Sequence, residues 1–213
     1  LQLDMPHIYM STLCNIANVY VHQRRYSEAE GFYNQALHLV ESTFGTHSAD
    51  YADVQNNMAI MYHLAGDYKR AYNLYNNVIE LRESIAGKDS RKYLESEQCL
   101  FNFYSDPAMN IASKATPLLQ SIMAKQSNNV RQEFLHLSER QRKEYWNKNK
   151  RAFEQTYPNY IYLHRQDTSL CALAYNNELF VKKLLLNTSS QILHAINTSK
   201  EPKVKNIYYQ LNN

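Results

Sequence analysis

Residues 51–90 read YADVQNNMAIMYHLAGDYKRAYNLYNNVIELRESIAGKDS, and residues 9–48 read YMSTLCNIANVYVHQRRYSEAEGFYNQALHLVESTFGTHS. Laid over one another at an offset of 42, the two segments align without a gap. Asn15 meets Asn57, Ala17 meets Ala59, Tyr20 meets Tyr62, Tyr26 meets Tyr68, Ala29 meets Ala71 and Tyr33 meets Tyr75. The match runs on through Asn34/Asn76, Leu39/Leu81, Glu41/Glu83, Ser42/Ser84, Gly45/Gly87 and Ser48/Ser90. Self-similarity at such a period marks a stack of like units, none of which buries its apolar face alone. Tyr93, Leu100 and Tyr104 carry the pattern into a third, degrading copy.

Each copy reads as two helices. Tyr9, Leu13, Ile16, Ala17 and Tyr20 recur at helical spacing, as do Ala29, Tyr33, Ala36 and Leu37 after a turn at Gln23-Arg24-Arg25. In the second copy the turn is Gly66-Asp67, between Met58, Ala59 and Tyr62 on one side and Ala71, Tyr75, Val78 and Ile79 on the other. Gly45 and Gly87 fall where the second helix should end, a place that favours positive φ. The alanines sit where paired axes must approach closely. The tyrosines fill gaps between pairs and keep a hydroxyl for water or backbone.

Ile16, Ala17, Tyr20, Ala29, Tyr33 and Ala36, with Met58, Ala59, Tyr62, Ala71, Tyr75 and Val78, make a pattern that resembles the tetratricopeptide repeat. The 42-residue period and the phrases Asn56-Asn57-Met58-Ala59 and Gly66-Asp67-Tyr68 look like the kinesin-light-chain type of that repeat. The resemblance covers residues 6–92 and fades over 93–125; Arg24-Arg25 depart from it at the first turn. It implies an all-α fold, a right-handed superhelix of antiparallel helix pairs continuing into a helical connector.

The domains expected are tetratricopeptide-like repeats over residues 1–106 and a helical connector over 107–213. Past Asp106-Pro107 the period is lost but helical composition continues. Pro117 is expected to open a helix through Met123 to Leu137. Ser138 and Gln141 read as a capping box for a helix carrying Tyr145, Trp146 and Phe153, which Tyr157-Pro158 should end. Asp167 or Thr168 should cap a long helix with Leu170, Leu173, Ala174, Leu179, Leu184, Leu185 and Ile192 on its apolar faces. A polar break from Asn197 to Pro202 and a last helix with Ile207, Tyr208 and Leu211 complete the reading.

Two phrases in this half are ordered: Leu137-Ser138-Glu139-Arg140-Gln141-Arg142 before Tyr145-Trp146, and Ala172-Leu173-Ala174-Tyr175-Asn176-Asn177-Glu178-Leu179-Phe180 before Lys182 to Asn187. Residues 100–200 thereby resemble the connector between tetratricopeptide repeats and a CHAT domain in large bacterial proteins. CHAT domains are caspase-like and use a His/Cys pair that lies beyond such a connector, so the resemblance transfers no catalytic residue to this chain. It implies a downstream domain of the same chain as one partner. The start at Leu1 likewise suggests a piece of a longer protein.

Composition excludes several functions. Four Gly and five Pro are too few for a turn-rich β or doubly wound fold. No glycine-rich nucleotide loop or nucleophile elbow occurs. The net charge of +3 is too balanced for nucleic acid. The basic residues Arg140, Arg142, Lys143, Lys148, Lys150 and Arg151 alternate with Glu139, Glu144 and Glu154, as on a solvated helix face. The 18 tyrosines fall mostly on packing positions. No apolar run approaches the roughly 20 residues of a membrane span.

Cys14, Cys99 and Cys171 are odd in number and widely spaced, which fits a reducing, cytoplasmic setting without disulfides. Each sits in an apolar helical context and reads as packing. No H-E-x-x-H occurs and no His pair has ligand spacing, so neither a metal nor a cofactor is expected, and the chain is read as a non-enzyme.

The functional candidate is the groove that the first helices of such pairs line. Ser11, Asn15, Asn18 and His22 share one face of the first helix. Asp53, Asn57, Ile60 and Leu64 are their equivalents in the second copy, with Asn56 and His63 on the flank, and Asn102 stands in the third copy where Asn18 stands in the first. An asparagine offers a donor and an acceptor on one short side chain and can hold an extended backbone. The expectation is a scaffold that binds a peptide or protein in this groove. The alternative is a segment that docks and positions the downstream peptidase-like domain.

Overall fold

The computed structural model describes residues 4–109 and 111–198. The chain forms two compact units, residues 1–122 and 123–213. Among the described residues every regular element is helical. The last helix expected from Ile207, Tyr208 and Leu211, and the polar break beyond Thr198, lie outside the described residues; of Leu185 and Ile192 the side chains do.

The first unit opens with two hairpins: α1 (Asp4–His22) with α2 (Tyr26–Phe44), and α3 (Ala49–Ala65) with α4 (Tyr68–Ala86). Ala17 and Ala29, and their equivalents Ala59 and Ala71, are fully buried, so within each pair a methyl group is all that separates the axes. Successive pairs stack, α2 on α3 and α4 on α5 (Arg91–Tyr104). Gly45 and Gly87 close α2 and α4 with φ of 80° and 77°. Ser48 and Ser90 cap α3 and α5 by accepting the backbone N–H of Tyr51 and Tyr93.

The two inner turns differ in chemistry and agree in shape. Gly66 adopts φ of 80°, and Arg24, its equivalent, is forced to φ of 60°. Arg25 N donates to Tyr20 O at 2.9 Å as Asp67 N donates to Tyr62 O at 2.9 Å, so hairpin geometry overrides the residue's own preference. Asp67 also caps α4 through Arg70 N, whereas Arg25 gives α2 no side-chain cap.

The third pair is more complete than the sequence pattern. Helix α6 (Ala112–His136) begins before Pro117, contrary to the expectation that Pro117 opens it. Ala115, Leu119 and Ile122 are fully buried there, and they match Ala71, Tyr75 and Val78 at an offset of 44. The turn after Asp106 has gained two residues, and this slip hid the second helix of the copy. Pro117 removes one N–H from the ladder, but it is exposed, as is Ser113 four residues before it, so the freed carbonyl can meet water.

The second unit takes in the rest of α6, then α7 (Glu139–Arg151), a five-residue π segment (Ala152–Thr156), α8 (Tyr157–Leu163) and α9 (Ser169–Thr198). The capping box at Ser138 and Gln141 is formed as expected. Tyr157-Pro158 does not end the helix. Tyr157 N reaches back five residues to Ala152 O, and the chain passes through the π segment into α8. Phe153 anchors this unit, with ring centroids of Trp146, Tyr157 and Phe180 at 5.6, 5.6 and 5.2 Å. On α9, Leu170, Phe180 and Leu184 are buried, whereas Leu179 and Cys171 are exposed, contrary to expectation. Each stands next in sequence to a buried residue and is turned about 100° from it around the helix.

Candidate functional site

The expected groove residues lie on α1, α3 and α5. The structure sorts them by role. Ser11, Asn15 and His22 on α1 and Asn102 on α5 are exposed. The other four hold helices together.

Asn18 is half-buried because its Oδ1 accepts the Tyr33 hydroxyl at 2.6 Å, tying α1 to α2. Burial holds the Tyr33 phenol above its ordinary range, so it stays a donor. Asn57 hydrogen-bonds the Cys14 thiol of α1, while burial pushes that thiol up to about 11. Asn56 is buried, with its Nδ2 at 3.8 Å from Cys99 Sγ of α5 and its Oδ1 unpartnered. Cys14 and Asn56 are one repeat apart, and so are Asn57 and Cys99. The same thiol–amide contact therefore joins α1 to α3 and α3 to α5, with its chemistry inverted. Burial raises both thiols, and at Cys99 it outweighs the Arg82 charge that favours the thiolate, so neither is activated as a nucleophile.

Asp53 is half-buried between two cations. Its carboxylate accepts from Arg82 Nη2 at 2.5 Å and from Lys92 Nζ at 3.0 Å. Arg82 is a buried strut: it also donates to Lys92 O at 2.8 Å and Ser96 Oγ at 2.6 Å, joining α3, α4 and α5. Sequence reasoning missed Arg82. Its equivalent in the first copy is the fully buried Val40, so an arginine at that register was the available signal.

His63, on the flank, hydrogen-bonds Asp106 Oδ2 at 2.9 Å and packs its ring on Phe103, Tyr68 and Tyr75. The Ala108 N–H and His63 together hold the Asp106 carboxyl below the usual range. Among the described residues no cluster of His, Cys, Asp and Glu could hold a metal, and no helix is long and apolar enough to cross a membrane.

A layer of fixed polar contacts thus underlies a thinner layer of exposed polar side chains. Such a face can offer donors and acceptors to another chain.

The tetratricopeptide repeat family model matches residues 9–84, which comprise most of the first two hairpins. No curated protein matches the chain. Among solved structures the chain is similar to the one titled "Crystal structure of BtubC (BKLC) from P. vanneervenii", at 19% identity over 92% of this chain and 67% of that chain, with a TM-score of 0.58. At that identity the likeness is one of fold.

Proposed function

We propose that the chain is a non-catalytic scaffold that binds a peptide or protein across the face made by α1, α3 and α5. Tetratricopeptide repeats mediate protein–protein interaction in general. The observation that carries the reading is the exposure of Ser11, Asn15, His22 and Asn102 above a set of neighbours already committed to helix packing. A polar side chain with no part in packing is left to the solvent or to a partner.

The test places a photo-crosslinking residue at Asn15 or Asn102 in the full chain, with exposed Glu80 of α4 as the control position. A partner crosslinked from both groove positions and not from Glu80 supports the reading, provided an Asn15→Ala/Asn102→Ala variant of unchanged melting temperature fails to capture it. Capture that ignores the double substitution removes the groove from the function.

A second reading concerns residues 123–213. Tyr162 and Leu163 in α8, and Tyr175 and Leu179 on α9, are exposed apolar side chains that could dock the caspase-like domain expected downstream. Replacing Tyr175 and Leu179 by serine should leave the chain's own melting unchanged and weaken the attachment of such a domain when one is joined to it. Undiminished attachment would discard this reading.

A further inference from the structure

Helix α1 carries an apolar stripe, interrupted by Thr12, whose hydroxyl is tied to Ile8 O at 2.8 Å, and nothing described covers it. Met5, Ile8, Thr12, Ile16 and Val19 follow one another at spacings of three and four residues and lie on one face. Val19 is 55% exposed and Ile16 37%.

The molecule contains its own controls. Thr12, Ile16 and Val19 correspond on α3 to Val54, Met58 and Met61, and on α5 to Ser96, Leu100 and Phe103. All six of those are buried, Val54, Met61 and Ser96 to 1%. Helix α3 has one set of neighbours that α1 lacks, namely the pair before it, whose second helix α2 packs against it. Helix α5 receives α4 in the same way. The positions buried on α3 and α5 and bare on α1 are therefore those that a preceding second helix covers.

We propose that this stripe is an inter-repeat docking face, and that its occupant is the second helix of a tetratricopeptide-type hairpin preceding α1 in the polypeptide. The stripe continues an interface already used twice in the molecule. The occupant's chemistry follows from the helices in the equivalent places. It is an amphipathic helix with alanine, tyrosine four residues later and a small apolar residue three beyond that, as in Ala29, Tyr33 and Ala36 of α2 and Ala71, Tyr75 and Val78 of α4. Helix α1 is then an internal helix of the array, because a terminal helix turns a polar face outward.

The experiment extends the chain in register, with the added segment taking the place of residues 1–6, Met5 among them. Residues 1–48 placed ahead of residue 7 supply a copy of α2 at the 42-residue period, and residues 49–90 in the same place supply a copy of α4. Both extended chains should gain helix and melt higher than the parent by about 3 °C or more. Ile16→Asp with Val19→Asp should leave the parent's melting nearly unmoved, since both side chains are exposed there, and should cancel the gain in both extended chains. The proposal is overturned if the added helices stay unfolded, or if the double substitution costs parent and extension alike. It is also overturned if sedimentation shows the parent to be a dimer that the substitution dissociates, since the occupant would then be a second copy.

Discussion

Asn177 Nδ2 on α9 donates to the main-chain oxygen of Phe153 at 2.8 Å, and both groups are buried. The bond resolves a problem created by Pro158. In the π segment Phe153 O would look for the N–H five residues on, and that residue is a proline with no N–H to give. The Asn177 amide supplies the donor from another helix. The helix can therefore pass through Tyr157-Pro158 instead of stopping there.

Asn177→Ala should destabilise the second unit by about 2 kcal/mol, the cost of a buried carbonyl left without a donor. Denaturant unfolding followed through Trp146, which lies beside Phe153, reads that unit. An unchanged midpoint would mean that the π segment satisfies itself.

Arg24 and Gly66 share one backbone conformation at equivalent turns. Arg24→Gly should stabilise the chain by about 1 kcal/mol, because a left-handed residue with a Cβ is strained there. Gly66→Ala should cost a similar amount, although no atom crowds the new methyl group. Thermal melts of the two variants should move in opposite directions.

The Arg82 strut separates the cost of a broken pair from the cost of a missing one. Arg82→Ala should cost about 3 kcal/mol, since it empties a buried site and strips Asp53 of its closest partner. Arg82→Met refills the site with apolar atoms and should cost distinctly less. Lys92 still holds Asp53, and Ser96 still donates to Lys92 O. Equal losses in urea titration would show that the charge itself carries the stability.

The asparagines of the groove face should divide under alanine substitution. Asn15→Ala and Asn102→Ala should stay within about 0.5 kcal/mol of the parent. Asn18→Ala leaves the Tyr33 hydroxyl without its acceptor and should cost about 1–2 kcal/mol. Chemical denaturation of the three variants tests the division.

Stability should fall in alkali. Burial raises the Cys14 thiol to about 11 and the Tyr62 phenol to about 12, and it holds Tyr33, Tyr75 and Tyr157 higher still. Each of these groups is neutral when protonated, and the unfolded chain releases its protons first. The stabilisation is complete below the unfolded values, roughly 8.5 for a thiol and 10 for a phenol, and declines as pH rises through the folded ones. Urea midpoints should be flat from pH 7 to 8 and drop between pH 9 and 11, together with a cooperative rise in tyrosinate absorbance. A noncooperative rise at ordinary phenol values would contradict the burial.

Periodicity and turn residues were enough to place the two-helix unit, the glycine ends of its second helix and its close contacts. Ala17, Ala29, Ala59 and Ala71 are fully buried where the periodicity put the close approaches, because only a small side chain lets paired axes come together there. Gly45, Gly87, Ser48 and Ser90 mark helix ends because φ and side-chain capping are local properties. What local reasoning could not see was compensation at a distance. Pro117 and Tyr157-Pro158 read as breaks, yet burial of Ala115 and Leu119 holds one helix and Asn177 repairs the other. Of the residues expected to line a groove, Ser11, Asn15, His22 and Asn102 are exposed, whereas Asn18, Asp53, Asn56 and Asn57 found partners on neighbouring helices that no one-dimensional pattern displays. Tertiary structure alone decided which polar groups were spent on packing and which were left at the surface, because a hydrogen bond depends on the separation of two helices and not on the spacing within one.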